Sequence, residues 1–235
     1  MPEITLTAND GTEMGAYLAV PPIGDGPWPG VVVIHDAMGL GVDTRVNADH
    51  LAAAGYLALA PDIYSRGGTV RCVKSTFSAL FAGEGQAFDD IESARAWLLE
   101  QPSSNGRTGV IGFCMGGGFA LLVAARGFDA SSVNYGQLPK ALDEILGGSC
   151  PIVASYGKRD LTLKGAAATL EAGLLRAGVD ADVKEYPDAG HSFLNRFNTG
   201  PFSPLVKVAG MNYHHASAED AWKRIFRFFD KHLRP

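Results

Sequence analysis

A cysteine stands at the centre of the glycine-rich hexapeptide GFCMGG at residues 112–117, between two apolar runs. This order predicts a strand, a sharp turn and a helix, which is the context of the nucleophile elbow G-x-S-x-G, here with cysteine in place of serine. Small residues on either side let strand and helix approach closely, and the helix N-terminus favours a thiolate over a thiol. Cys114 is therefore a candidate nucleophile. The alternatives are a buried small hydrophobic residue or a phosphate-binding turn.

An acid and a histidine follow the elbow in the order that an α/β-hydrolase triad requires. Asp160 lies just beyond the apolar run 152–154, and His191 lies in the loop after the alternating segment 181–186. His191 would take the thiol proton or stabilise the thiolate, and Asp160 would fix the tautomer of the imidazole. Each residue alone could be structural, Asp160 as a helix cap and His191 as a surface residue. Together, and in this order, they predict a Cys-His-Asp triad.

Two backbone N–H groups are candidates for an oxyanion hole. Met115 directly follows the elbow cysteine, and the peptide after the third strand usually supplies the second donor, which we assign to Ala37. His35, at the end of that strand, is interpreted as a packed residue. The adjacent His214 and His215 make a poor metal site, because neighbouring side chains point in different directions. No metal site is predicted.

The composition excludes several classes of protein. Of 235 residues, 46% are apolar and 19% are charged, which is typical of a soluble globular chain, and the net charge of −5 gives no electrostatic case for nucleic acid or an anionic membrane. We find no secretory signal and no apolar stretch that approaches the span of a bilayer. Three cysteines without metal-type spacing, Cys72, Cys114 and Cys150, indicate a reducing cytoplasm. We expect a cytoplasmic monomer or small homo-oligomer that binds neither nucleic acid nor membranes.

Hydrophobic periodicity predicts an opening hairpin followed by strands that alternate with helices. The pattern favours one α/β domain over residues 1–235, with a mostly parallel central sheet and helices on both faces. Asp43 and Ser217 are predicted to cap the first and last helices. The basic residues of the last helix are predicted to form a solvated face, and they are Lys223, Arg224, Arg227 and Lys231.

Nearly the whole chain resembles the dienelactone hydrolase family. The resemblance rests on the segments APDIY at 60–64, QP at 101–102, SNG at 104–106, the cysteine elbow at 112–117, Asp160, and GHSF at 190–193. It implies a single-domain α/β-hydrolase that uses a Cys-His-Asp triad on a strained enol-lactone, without a cofactor.

The chain departs from the family pattern at two points. The best-known members carry a glutamate, associated with holding and activating the thiol, where this chain has Asp36. A carboxylate there would oppose thiolate formation by repulsion and could accept the thiol proton; alternatively, Asp36 only caps its turn. The family also uses arginines to grip a substrate carboxylate. Arg71, in a segment read as a short loop over 64–86, and Arg196, just after His191, are the candidates here.

The leading hypothesis is a hydrolase of a lactone or an activated ester. A broader carboxylesterase for small esters is the alternative within the enzymes. A non-catalytic or thiol-redox protein on the same scaffold is the alternative of a different class, but redox sensing does not need an imidazole oriented by a carboxylate. Such a role would more naturally use a second nearby cysteine.

Overall fold

The computed structural model describes residues 3–196 and 212–234. These residues contain an eight-stranded sheet with the order β1-β2-β4-β3-β5-β6-β7-β8, in which β2 pairs antiparallel with β1 and β4 and the remaining pairs are parallel. The strands are β1 (Glu3–Thr7), β2 (Glu13–Ala19), β3 (Trp28–Ile34), β4 (Leu57–Pro61), β5 (Ser104–Phe113), β6 (Ala130–Asn134), β7 (Ile152–Gly157) and β8 (Ala181–Tyr186).

Helices cover both faces of the sheet, as the sequence predicts for this fold class. Their bounds are α1 (Val42–Ala53), α2 (Gly68–Ala82), α3 (Gln86–Glu100), α4 (Met115–Leu122), α5 (Leu142–Leu146), α6 (Ala166–Ala177) and α7 (His215–Leu233). The central strand β3 shows why both faces are apolar. Its alternate residues Val32 and Ile34 belong to the core under α2 to α6, whereas Val31 and Val33 belong to the core under α1 and α7.

Two elements of the fold were not expected from the sequence. Residues 64–86 are not a short loop, because they contain the fifteen-residue helix α2, which buries Thr76 and Leu80 and packs Val73 and Phe77 partly buried against the core. Strand β6 is fully buried although it reads Ala-Ser-Ser-Val-Asn. Most of its polar side-chain atoms bond internally: the Ser131 hydroxyl donates to the Ala120 carbonyl at 2.9 Å, and the Asn134 amide donates to Ser132 Oγ at 3.1 Å. Asn134 Oδ1 is buried without a partner among the described residues.

The predicted caps and the predicted solvated face need correction. The first helix begins after Gly41, with Asp43 in its first turn, and the last begins after His214, with Ser217 already inside it. Arg224 is buried on α7, where its guanidinium donates to Asp182 Oδ1 at 2.8 Å and to Ser155 Oγ at 3.2 Å. The charge is tolerated there because a carboxylate neutralises it and acceptors surround it.

Glycines allow strand β5 and helix α4 to meet neighbouring backbone at van der Waals distance. A Cβ on Gly112 would collide with the carbonyl of Gly116, and a Cβ on Gly116 would stand 2.6 Å from the His35 carbonyl. A Cβ on Gly117 would stand 2.5 Å from the Asn134 carbonyl. The ends of β3, β5 and β6 are thereby brought together beside the N-terminus of α4.

Among the described residues, no helix combines the length and apolarity needed to cross a membrane.

We predict that Gly117→Ala destabilises the protein by about 3 kcal/mol or more, because its neighbours are backbone atoms that cannot move aside. The gain in helix propensity, about 1 kcal/mol, is too small to offset this. Gly15→Ala is the matched control, since nothing lies within 4 Å of a Cβ on this strand glycine. It should change the free energy of unfolding by less than about 1 kcal/mol. Urea unfolding measures both, and equal effects of the two variants would refute the packing argument.

Candidate active site

Cys114 occupies the turn between β5 and α4 in a conformation that side chains rarely adopt. Its φ is 55° and its ψ is −115°, and it is the N-cap residue of α4. The Cys114 N–H donates to the Asn134 carbonyl at 3.1 Å, and its carbonyl accepts from the Gly118 N–H at 3.2 Å. The turn is thus held from both sides, and the half-buried thiol projects at the carboxyl edge of the parallel strands.

Asp160 and His191 meet at the same edge although 31 residues separate them. His191 Nδ1 donates to Asp160 Oδ2 at 2.5 Å, and Asp160 Oδ1 accepts from the Thr162 N–H at 2.9 Å and from its hydroxyl at 2.6 Å. Burial alone raises the pKa of Asp160, but the bonds from His191 and Thr162 outweigh it and hold that pKa below its usual value. Asp160 is therefore an ionised acceptor that orients the imidazole.

Backbone contacts hold the two loops that carry this pair. The Arg159 N–H donates to the Ala189 carbonyl at 2.9 Å, and the Lys158 N–H donates to the Tyr186 carbonyl at 2.9 Å. Gly157 ends β7 where a Cβ would stand 2.5 Å from the Gly190 carbonyl. The position of His191 is therefore fixed by the ends of β7 and β8 rather than by its own side chain alone.

His191 is strongly basic in this setting. Burial by itself lowers its pKa, but interactions with Asp160 and Cys114 outweigh this effect and raise the pKa to about 9. The ring is therefore mainly an imidazolium at neutral pH.

The two predicted oxyanion donors, Met115 and Ala37, follow the ends of β5 and β3, which are neighbouring strands. Met115 opens α4, so its N–H has no partner within the helix. Ala37 follows β3, whose end packs on Gly116, and its carbonyl accepts from the Tyr64 hydroxyl at 3.4 Å. That carbonyl belongs to the peptide between Ala37 and Met38. The Ala37 N–H belongs to the preceding peptide, whose Asp36 carbonyl accepts from the Gly39 N–H at 3.1 Å.

Asp36 is buried beside this turn, and its two oxygens have separate partners. Oδ1 accepts from the Met38 N–H at 2.8 Å, and Oδ2 accepts from the Asn195 side-chain amide at 3.0 Å. Burial raises the pKa of Asp36, and these two bonds oppose the rise. The carboxylate does cap its turn, and within the described residues it accepts no hydrogen bond from the Cys114 thiol.

His35 is fully buried, with Nδ1 donating to the Asp36 carbonyl at 2.7 Å.

Two residues that the sequence analysis did not identify join Asp36 to His191. The Tyr135 hydroxyl donates to Asn195 Oδ1 at 3.1 Å, and the Tyr135 ring lies 5.3 Å from the His191 ring. Burial, with the charges of Asp36 and Cys114, raises the pKa of Tyr135 well above its usual value, so its hydroxyl stays a donor. Asn195 could have been chosen from the sequence, because it lies four residues after His191 in the same loop. Tyr135 could not, because it follows the polar strand β6, which the sequence does not mark as a strand.

A cavity of about 250 Å³ opens at this site, and its walls include Cys114, Met115, Tyr135 and His191.

Neither of the arginines predicted to bind substrate lines this cavity. Arg71 is exposed on α2, and Arg196 donates to the Tyr213 hydroxyl at 3.0 Å and stacks on that ring at 4.6 Å. In residues 3–196 and 212–234, no group of three or more histidine, cysteine or acidic side chains is arranged to hold a metal ion.

Comparisons with known proteins agree with this architecture. The model of the dienelactone hydrolase family matches residues 14–233. A putative carboxymethylenebutenolidase of Escherichia coli is 31% identical over 245 residues, covering 97% of this chain and 86% of that protein. A carboxymethylenebutenolidase of Pseudomonas putida is 30% identical over 217 residues, covering 88% and 91%.

Among solved structures, a putative dienelactone hydrolase from Klebsiella pneumoniae superposes with a TM-score of 0.83 at 26% identity, covering 98% of both chains. The sheet described above is accordingly that of the α/β-hydrolase fold. The match to the family model extends over almost the entire chain, so this chain belongs to the dienelactone hydrolase family.

Proposed function

We propose that this protein hydrolyses esters or lactones through a covalent thioester at Cys114, as a single α/β-hydrolase domain. The family and the names of its relatives support an ester or lactone hydrolase. The observation that carries the finer proposal is the 2.5 Å bond between His191 and Asp160 beside a cavity lined by both Cys114 and His191. A thiol-redox role would not require that bond.

The reaction proceeds in two balanced steps. The Cys114 thiolate attacks the ester carbonyl, a C–S bond forms, and negative charge develops on the carbonyl oxygen, where the N–H groups of Met115 and Ala37 stabilise it. When the intermediate collapses, the C–O bond breaks and the leaving oxygen takes a proton from His191; in a lactone it stays attached as the new hydroxyl of the opened ring. His191 then removes a proton from water, which attacks the thioester, releases the acid and restores the thiolate.

The nucleophile favours esters over amides. A thiolate is displaced from the tetrahedral intermediate more easily than an unprotonated amine, so an amide returns to starting material unless its nitrogen is protonated first. An activated ester or strained lactone has a leaving oxygen that competes well with the thiolate. The substrate class of the proposal therefore follows from cysteine at the elbow.

Asp36 acts on the thiol through its charge in this proposal. The charge of Asp36 contributes to the raised pKa of Tyr135, and the charge of His191 opposes the rise in the pKa of Asp36. Cys114 also affects the pKa values of Tyr135 and His191. A negative charge at this distance opposes the thiolate that His191 favours. The alternative is that Asp36 only caps its turn by accepting from the Met38 N–H, a role that needs an oxygen acceptor but no charge.

We predict that Cys114→Ala abolishes ester hydrolysis and leaves the fold intact, with a change in unfolding free energy below about 1.5 kcal/mol because the residue sits on a half-buried turn. Cys114→Ser should be severely impaired, since a site that stabilises a thiolate deprotonates a hydroxyl poorly. Initial rates with a 4-nitrophenyl ester measure both. The matched control is Cys72→Ala, a half-buried thiol outside this cavity, which should retain turnover. Turnover by purified Cys114→Ala would exclude Cys114 as the nucleophile.

We predict that Asp36→Asn increases the rate at which iodoacetamide alkylates Cys114 in the free enzyme at neutral pH, while ester turnover falls. Asparagine keeps an oxygen that can accept from the Met38 N–H and carries no charge. Its NH2 group would face the Asn195 amide that donates to Oδ2 in the wild type, so the loss of that bond is measured through stability. Alkylation can be followed by intact-protein mass spectrometry in a Cys72→Ala background, with urea unfolding as the control for stability. Equal alkylation rates, with lost activity that tracks lost stability, would leave Asp36 only the capping role.

A further inference from the structure

The turn that contains Ala37 is held by hydrogen bonds on both sides of that residue. The Asp36 carboxylate accepts from the Met38 N–H at 2.8 Å, and the Asp36 carbonyl accepts from the Gly39 N–H at 3.1 Å. Among the described residues, the Ala37 N–H donates to no acceptor. A peptide donor that is left free in an otherwise bonded turn is available to a ligand.

His35 bonds to the other end of the peptide that carries this N–H. His35 Nδ1 lies 2.7 Å from the Asp36 carbonyl oxygen, which also accepts from the Gly39 N–H. A carbonyl oxygen only accepts, so Nδ1 is the donor. The peptide between Asp36 and Ala37 is trans, and in a planar trans peptide the C=O and N–H bonds point in opposite directions. Because the carbonyl is held toward His35, the Ala37 N–H is held on the opposite side.

The His35 ring makes no other hydrogen bond among the described residues. The side chain is fully buried, and Nε2 has no hydrogen-bond partner there, since Asp62 Oδ1 is 4.0 Å away. Burial lowers the pKa of His35, so the ring is neutral and Nε2 is an unpaired acceptor. A buried acceptor without a partner destabilises the fold. A histidine at this position is therefore explained by what Nδ1 does rather than by stability.

Tyr64 packs beside the imidazole and also reaches both residues of the oxyanion hole. Its ring meets the His35 ring edge to face, with the centroids 4.7 Å apart. The Tyr64 hydroxyl lies 3.4 Å from the Ala37 carbonyl oxygen and 3.5 Å from the Met115 sulfur. The imidazole is thus fixed by packing, so the bond from Nδ1 gives the peptide a defined orientation.

We propose that His35 is a positioning residue, which orients the peptide between Asp36 and Ala37 so that the Ala37 N–H faces the developing oxyanion. The inference rests on the proposed function, in which this N–H stabilises the tetrahedral intermediates of both steps. A donor that is fixed in advance needs no reorganisation when the charge develops, whereas a peptide that can rotate loses part of this stabilisation. His35 is not among the residues that line the cavity at Cys114, so it acts through the backbone.

Two substitutions of similar size separate the hydrogen bond from packing. Asparagine places an N–H donor at the atom that corresponds to Nδ1, whereas leucine branches in the same way and has no donor. We expect His35→Leu to lower kcat for a 4-nitrophenyl ester by about tenfold or more with little change in KM, because both steps pass through an oxyanion. His35→Asn should keep kcat within about threefold of the wild type, since it retains the bond. An unchanged kcat in His35→Leu, or equal losses in the two variants, would overturn the inference.

Alkylation of Cys114 by iodoacetamide is the control, because it displaces iodide from a saturated carbon and forms no oxyanion. In a Cys72→Ala background, His35→Leu should be alkylated at the rate of the parent protein while its ester turnover falls. A parallel fall in alkylation, or a loss of stability in urea that accounts for the lost turnover, would show that His35 supports the packing of the site and would overturn the inference.

A measurement on the wild-type protein tests the bond without any substitution. Long-range ¹H–¹⁵N NMR of the labelled imidazole distinguishes the two neutral tautomers, and we expect the His35 proton on Nδ1. A proton on Nε2 would exclude the bond to the Asp36 carbonyl and overturn the inference, even where His35→Leu does not fold. If the wild type hydrolyses no ester faster than Cys114→Ala, the proposed function itself is wrong. If the wild type hydrolyses esters and His35→Leu matches it, only the role of His35 is refuted.

Discussion

The hydrogen bond between His191 and Asp160 is the interaction on which the rest of the site depends. It joins the ends of β7 and β8, fixes which ring nitrogen carries the proton toward Asp160, and leaves the other nitrogen for the thiol. Burial lowers the pKa of His191, and this bond is, with the interactions of Cys114, what raises that pKa to about 9. In the proposed mechanism, the proton transfers of both reaction steps depend on this bond.

A second constraint is the close approach of backbones around the elbow. Gly112, Gly116 and Gly117 have no room for a Cβ, because the carbonyl ends of β3 and β6 press against the start of α4. This packing sets the position of the Met115 N–H relative to Ala37 and holds Cys114 at a positive φ. Loosening the elbow would therefore disturb both the stability of the fold and the geometry of the oxyanion donors that we propose.

The sequence was most informative at positions where both the chemistry of the site and the backbone geometry require a particular residue type. The elbow, Asp160 and His191 could be chosen because each follows a predicted strand, and the parallel strands bring their carboxyl ends to one edge. Strand β6 escaped prediction because its buried serines read as a loop, and Tyr135 escaped with it. Helix α2 escaped prediction although Val73, Phe77 and Leu80 recur in it at helical spacing and face the core. The directions of Arg71 and Arg196 depend on contacts such as that with Tyr213, which no sequence spacing specifies.

The protonation of His191 is the most direct test of this account. NMR titration of the labelled imidazole should give a pKa of about 9 in the wild type and a lower pKa in Cys114→Ala, where the interaction with the thiol is gone. A pKa raised by folding contributes stability that is complete below the unfolded value of about 6.5 and is lost as pH rises through the folded value. Unfolding free energy should therefore fall as pH rises through about 9, and less so in the variant. A wild-type pKa near 6.5, or the same pKa in both proteins, would contradict the account.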